Sequence, residues 1–162
     1  MRRICLAFLV SILPVQTLAL SCLPWQLEDA YAEADSSPHS YVVVSGTLFF
    51  SADDLPLVDW DQPQNVPAET RIDARVVGTA LFPGNRTEPF NRPVTLVVEC
   101  AGPWCPQPAA NADYLTFLEQ SDAGYVLTVG ACGGMAFQAP DADLLVRLRS
   151  CLAGGECKGA ER

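Results

Sequence analysis

The cysteines constrain this chain more than any other feature. There are seven in 162 residues, and Cys5 lies in an N-terminal segment that we expect the mature protein to lack. The other six are Cys22, Cys100, Cys105, Cys132, Cys151 and Cys157. An even number of cysteines in an exported chain indicates a framework of three disulfides, although the count leaves their pairing open.

A zinc site is the rival interpretation of the same cysteines. Its candidate ligand pairs are Cys100 with Cys105 and Cys151 with Cys157. Neither pair has the two-residue spacing of a zinc knuckle, and an oxidising compartment disfavours free thiolates. We therefore expect neither a metal ion nor a cofactor.

The N-terminal segment has the three parts of a secretory signal. Two arginines follow the first methionine, residues 4–13 are apolar, and small or polar residues come next. The apolar run is too short to cross a bilayer as a helix, which takes about 20 residues. We predict a signal peptide over residues 1–19, with cleavage after residue 21 as the alternative, and a single domain over residues 20–162.

The signal and Cys22 together decide the expected location. A signal peptide predicts a secreted or periplasmic protein. Residues 18–22 loosely resemble a bacterial lipobox, although Ala19 and Leu20 depart from its usual pattern. Lipidation of Cys22 would make the protein an outer-membrane lipoprotein, and only then would we expect it to contact a membrane.

The charge and the single histidine exclude several functions. Ten Lys and Arg residues against nineteen Asp and Glu residues give a net charge of −9. Nucleic-acid binding needs a basic surface, so we expect no nucleic-acid partner. His39 is the only histidine and lies in a polar turn, and the chain has no nucleophile-elbow or phosphate-loop motif. We predict that the protein is not an enzyme.

Residues 51–70 are predicted to form a long surface loop. The segment contains four aspartates and three prolines. The spacing of the aspartates matches no calcium-binding loop, so a solvated acidic loop is the expected structure. Trp60 lies among them and fits either a core anchor or an exposed contact.

The hydrophobic pattern predicts strands followed by one helix. Runs of β-branched and aromatic residues predict strands at 41–50, 72–82, 94–100, 114–119 and 125–129. Gly46 and Gly78 stand within the first two strands, which indicates bends. Leucines at helical spacing predict a helix near residues 141–153, with Arg147 and Arg149 in solvent. This pattern favours a small, strongly bent barrel.

Several segments, taken in order, match the pattern of one family. Residues 20–24 read Leu-Ser-Cys-Leu-Pro, close to a Cys-x-Cys-x-Pro motif. Further motifs of that family match residues 41–48, 74–81, 100–102 with 114–118, and 125–132. With these segments the chain resembles the netrin-like domain, and most closely the inhibitory domain of tissue inhibitors of metalloproteinases. The resemblance implies a mainly β fold: a five-stranded OB-fold barrel with a C-terminal α-helix, stabilised by disulfides.

The resemblance also implies a disulfide pairing. In the family, the second cysteine of the Cys-x-Cys motif bonds to the cysteine that follows the fifth strand, which here implies Cys22–Cys132. Leu20 replaces the first cysteine, so Cys100 lacks its family partner and Cys105 is the expected substitute. Cys151–Cys157 is the remaining pair.

The same resemblance implies a function. The first cysteine of the inhibitors chelates the catalytic zinc of the protease with its amine and carbonyl, and Leu20 is less well organised to do so. We expect a protein-binding module that contacts its partner through the N-terminal edge and the adjoining connector. An envelope-anchored accessory domain is one alternative, and a metalloproteinase inhibitor is another. The predicted partner-binding residues are Leu20, Ser21, Cys22, Leu23, Pro24, Ala101, Gly102 and Trp104.

Overall fold

Five long strands and two helices account for most of the chain. The computed structural model describes residues 21–23, 25–155 and 157; the predicted signal peptide lies outside them. The elements are α1 (Leu27–Ser36), β1 (Ser40–Phe49), β2 (Glu69–Leu81), β3 (Thr87–Glu99), β4 (Ala112–Ser121), β5 (Gly124–Gly130), β6 (Gly133–Gly134), β7 (Ala136–Gln138) and α2 (Ala142–Leu152). The two short strands β6 and β7 were not predicted.

The five long strands close into a barrel. Strand β1 pairs antiparallel with β2 and β4, and β2 pairs antiparallel with β3. Strand β3 pairs parallel with β5, and β5 pairs antiparallel with β4, which completes the circuit. The protein is therefore mainly β, with the five-stranded OB-type barrel and C-terminal helix that the sequence predicts.

One face of every long strand lines the barrel interior. The strand register places on this face the fully buried residues Val44, Leu48, Val76, Leu96, Val98, Leu118 and Leu127. Thr116 is the buried polar residue among them, and its hydroxyl donates a hydrogen bond to the carbonyl oxygen of Val44 at 3.2 Å. The interior is thus apolar, with its polar exception satisfied.

Gly46 and Gly78 allow β1 and β2 to approach closely. The two residues are directly opposite each other in the register. A Cβ atom on either glycine would collide with the backbone of the other strand, at Val77 and Gly78 on one side and at Ser45 and Gly46 on the other. The predicted bends are therefore places where only glycine fits.

Strand β3 begins seven residues before its predicted start at residue 94. The residues that precede Val94 pair with β2 alone, whereas β5 joins β3 only from Val94 onward. This half of β3 is consequently an edge, and an edge tolerates Pro89 and Pro93 because their missing N–H groups remove no ladder hydrogen bond on the open side.

Helix α1 was not predicted, although its sequence carries a helical signal. The backbone N–H of Gln26 donates to the carboxylate of Asp29 at 3.0 Å, which caps the first turn. Leu27 and Ala30 are fully buried, and Tyr31 and Ala34 pack partly buried against the same core. These four residues have the i, i+3, i+4, i+7 spacing of one helix face.

Helix α2 forms where the leucines predict it. The carboxylate of Asp141 accepts a hydrogen bond from the N–H of Leu144 at 2.8 Å and caps the helix. Leu148 is fully buried and Arg149 is exposed, as expected. Arg147 also reaches solvent, with 39% of its side chain exposed, but its guanidinium lies 2.8 Å from Glu28 and so links α2 to α1, a contact that was not predicted.

The two ends of the barrel carry different connections. The register places residues 50–68, residues 100–111 and the turn between β5 and β6 at one end, called here the long-loop end. The opposite end, called the short-turn end, holds the tight connections at residues 82–86 and 122–123. Neither helix of the described chain has the length and apolar character needed to span a bilayer.

Candidate partner-binding surface

The Cys22–Cys132 disulfide attaches the N-terminal segment to the long-loop end. Cys132 occupies the two-residue turn that joins β5 to β6. The Cys22 sulfur lies 3.8 Å from the carbonyl oxygen of Ala131, the other turn residue. A side chain at Gly133 would meet Trp25 at 3.5 Å, so Trp25 packs directly over this glycine. Residues 21–23 are thereby held beside the turn.

A second disulfide shapes the tip of the connector that precedes β4. Cys100–Cys105 closes a loop whose ends are five residues apart. Inside it, the backbone N–H of Ala101 donates to the carbonyl oxygen of Trp104 at 3.0 Å, and the N–H of Trp104 donates back at 3.3 Å. Gly102 adopts a φ of +60°, which favours glycine at this turn. The tip therefore presents the Trp104 side chain, which is 39% exposed.

Hydrogen bonds fix the rest of the connector. The hydroxyl of Tyr114 accepts from the N–H of Ala109 at 2.8 Å and donates to the carbonyl oxygen of the same residue at 3.3 Å. Burial raises the pKa of Tyr114, and the hydrogen bond from Ala109 opposes that rise. The side-chain amide of Gln107 donates to the carbonyl oxygen of Pro56 at 3.2 Å, which ties the connector to the loop over residues 50–68.

That loop supplies two exposed apolar side chains that the prediction did not include. Leu57 is 85% exposed and Trp60 is 71% exposed. Trp60 is thus an exposed residue rather than a core anchor. Both line an open groove of about 680 Å³, whose other wall includes Pro103, Trp104 and Ala131. The signal in the sequence was the presence of large apolar residues in a segment too acidic and proline-rich to be core.

The predicted partner-binding residues meet at this end of the barrel. Ser21, Cys22 and Leu23 lie beside the turn at Cys132, and Ala101, Gly102 and Trp104 lie on the connector tip. Ala131 joins the two groups, because it touches the Cys22 sulfur and also lines the groove with Trp104. Leu20 and Pro24 lie outside the described residues.

No family model, curated protein or solved structure matches this chain.

The structure contains the three disulfides expected from the resemblance. They are Cys22–Cys132, Cys100–Cys105 and Cys151–Cys157. Three disulfides in one small domain indicate an oxidising, non-cytoplasmic environment. A sulfur bonded to another sulfur cannot also carry a lipid thioether, so the Cys22–Cys132 bond and lipidation of Cys22 exclude each other in one molecule.

The long-loop end is acidic. The sequence has no Lys or Arg between residues 21 and 70 or between residues 93 and 146, and these ranges contain the N-terminal segment, the loop, the connector and the β5–β6 turn. Four exposed aspartates lie in the loop: Asp53, Asp54, Asp59 and Asp61. In the part of the chain that the structure describes, no group of three or more side chains is arranged to hold a metal ion.

A smaller depression beside α1 carries carboxylates. It has a volume of about 310 Å³ and is lined in part by Glu33, Glu99 and Glu119. The hydroxyl of Tyr41 donates to Glu119 at 3.4 Å, and His39 lies 3.6 Å from the same carboxylate. Burial raises the pKa of Tyr41, and the negative charge of Glu119 raises it further.

These carboxylates do not form a close pair along the sheet. Glu99 is opposite Gly130 of β5, whereas Glu119 is opposite Val126 of the same strand. The two backbone positions are thus four residues apart along β5, or roughly 13 Å. The depression therefore offers acidic groups, two of which are carried by well-separated backbone positions.

Proposed function

We propose that the protein is a secreted or periplasmic protein-binding module that contacts its partner with the long-loop end of the barrel. The contact surface consists of the N-terminal segment, the connector tip and the apolar loop residues beside them. Among the described residues, the three most exposed large apolar side chains are Leu57, Trp60 and Leu23, and all three belong to this end. This concentration is the observation that carries the proposal, because exposed apolar patches mark interaction sites.

The residue types and the rigidity of the surface support the same proposal. Tryptophan is enriched among the residues that dominate binding energy, and the surface exposes both Trp60 and Trp104. Two disulfides and the hydrogen bonds of Tyr114 and Gln107 hold the backbone in place before any partner arrives. A pre-organised surface loses less conformational entropy on binding, which favours affinity.

The netrin-like resemblance, which we propose reflects a family relationship, supports the same end of the molecule. Its inhibitors use their N-terminal residues to reach a protease, and the corresponding residues here are held by Cys22–Cys132. In this proposal Cys22 corresponds to the family's second cysteine and Leu20 to the first, which is consistent with the Cys22–Cys132 bond. Metalloproteinase inhibition therefore stays the secondary proposal.

The test compares partner retention by matched surface variants. Tagged mature protein is cross-linked in the envelope or medium of its own host and purified as wild type, as Trp60→Ser/Trp104→Ser and as Val146→Ser. Val146 is the control because it is 62% exposed on α2, away from the proposed surface. We expect a partner that the wild type and Val146→Ser retain and the double variant loses. Equal retention by all three proteins would disprove the proposed surface.

A further inference from the structure

The acidic rim of the groove points to a particular kind of partner. We propose that the groove binds a basic protein segment, in which Lys or Arg residues flank a large apolar side chain. This inference rests on the proposed function and adds the chemistry of the partner to it. It requires that the surface be acidic around an apolar centre, that its carboxylates be available, and that no nearby cation neutralise them.

Uncharged side chains line the groove, and its acidic rim consists of the two aspartates that flank Trp60 in the sequence. Its walls include Leu57, Trp60 and Trp104, none of which carries a charge. Asp59 and Asp61 stand on either side of Trp60 in the sequence, and both are exposed. An apolar side chain entering this groove would consequently bring its sequence neighbours close to carboxylates.

The aspartates of the loop are available to a partner. Within the described residues, none of Asp53, Asp54, Asp59 and Asp61 takes part in an ion pair. The carboxylate of Asp59 accepts a hydrogen bond from the backbone N–H of Asp61 at 2.9 Å, which fixes the turn and leaves the negative charge in place. Exposed charges of one sign steer a partner of the opposite sign toward the surface.

The basic residues that the structure describes belong to other elements. Strand β2 begins at the long-loop end, and its third residue is Arg71. The Arg71 guanidinium is already paired with the carboxylate of Glu69 at 2.9 Å. Arg86 and Arg149 line a separate depression at the short-turn end. The groove therefore has no cation of its own among the described residues that line it.

Charge also selects among the classes of macromolecule that could use an apolar groove. Nucleic acids and anionic lipid surfaces carry the same sign as the rim and are repelled by it. An acidic protein segment would add like charges around the apolar contact, which costs binding free energy. In a basic segment with an apolar anchor, the anchor packs in the groove and the flanking cations pair with the aspartates of the rim.

Selection from random peptides tests the inference directly on the isolated protein. The probe is a display library of random twelve-residue peptides, selected on the oxidised mature protein and counter-selected on Trp60→Ser/Trp104→Ser. We expect the enriched peptides to place Lys or Arg on both sides of a Leu, Phe or Trp. The best peptide is then synthesised, and its affinity is measured for the wild type and for two charge variants at two salt concentrations.

The charge variants are matched in number and differ in position. Asp59→Asn/Asp61→Asn removes two carboxylates at the groove, and Glu88→Gln/Asp122→Asn removes two at the short-turn end. We expect the first to weaken binding about tenfold, which corresponds to about 1.4 kcal/mol, and the second to change it by less than about twofold. Higher salt should weaken binding to the wild type and have less effect on Asp59→Asn/Asp61→Asn.

Each contrary outcome identifies which proposal fails. Peptides that need Trp60 and Trp104 but show no basic bias would overturn the basic-partner inference and leave the binding surface standing. Equal effects of the two charge variants would overturn the inference as well. Failure to enrich any peptide that depends on the two tryptophans would count against the surface itself.

Discussion

The two ends of the barrel are stabilised in different ways. At the long-loop end, two disulfides and a few hydrogen bonds hold segments that keep Leu23, Leu57 and Trp60 exposed. At the short-turn end, the connections are tight and the Arg86 guanidinium lies 4.3 Å from the centre of the Phe82 ring. Helix α2 packs nearby, and its disulfide, Cys151–Cys157, closes only a short local loop. Covalent cross-links fix a backbone without burying its side chains, whereas packing fixes it by burying them. This difference allows one end to be both rigid and exposed.

Removing the N-terminal cross-link should have the largest effect on stability. Cys22→Ser/Cys132→Ser opens a bond across 110 residues of sequence separation, and the chain-entropy estimate for this loop is about 5 kcal/mol. Cys100→Ser/Cys105→Ser opens a separation of five residues, for which the same estimate is about 2 kcal/mol. Urea unfolding of the two oxidised variants measures both losses. Equal destabilisation would show that the long-range bond is not the main covalent support of this end.

Replacing one leucine at each end by alanine should lower the free energy of unfolding only where that leucine is buried. Leu148 is fully buried on α2, so Leu148→Ala should lower the free energy of unfolding by about 2–5 kcal/mol. Leu57 is 85% exposed, so Leu57→Ala should change it by less than about 0.5 kcal/mol. Thermal and urea unfolding measure both. A large loss at Leu57 would mean that this residue supports the fold rather than a partner contact.

An ion pair links helices α1 and α2, and breaking it should lower the free energy of unfolding by a moderate amount. Arg147 lies 2.8 Å from Glu28, whose side chain is only 17% exposed. Arg147→Ala leaves that carboxylate largely desolvated and without its partner, so we expect a loss of about 1–2 kcal/mol. Arg149→Ala, on the exposed side of the same helix, is the control and should cost less than about 0.5 kcal/mol. Equal losses would indicate a general helix effect.

Alkaline pH should produce the smallest and most gradual loss of stability. The pKa values of Tyr41 and Tyr114 are both raised above the usual 10.0, chiefly by burial. A pKa raised by folding gives stability that is complete below about pH 10 and is lost as the pH rises through the folded value. Urea midpoints between pH 7 and pH 11 should fall above about pH 10, and less steeply in Tyr114→Phe. An unchanged slope would mean that Tyr114 ionises equally in both states.

The barrel was predictable because its signals are local or simply ordered along the chain. β-branched runs and paired glycines marked the strands, and the spacing of the leucines marked α2. Helix α1 was missed because four acidic residues alternate with its apolar face and make the segment resemble a loop: Glu28, Asp29, Glu33 and Asp35. The ion pair of Arg147 was missed with it, since its partner Glu28 is on that helix.

The candidate surface was predictable only in part. Ser21, Leu23 and Trp104 followed from the resemblance, because position relative to a cysteine motif does not depend on how the side chains pack. Leu57 and Trp60 did not, since nothing local distinguishes an apolar loop residue that turns inward from one that stays in solvent. The groove that they line also includes the connector, which is about 45 residues farther along the chain.

The long separation of Cys22 and Cys132 also has a consequence for biosynthesis. A chain made from its N-terminus presents the Cys22 thiol long before its partner, and Cys100 and Cys105 also precede Cys132. Either could capture Cys22 in a mispaired bond that thiol–disulfide exchange would then have to correct. Because a short loop closes at lower entropic cost than a long one, Cys100 and Cys105 find each other first. Their local bond removes both competing thiols, so that Cys22 stays reduced until Cys132 is available.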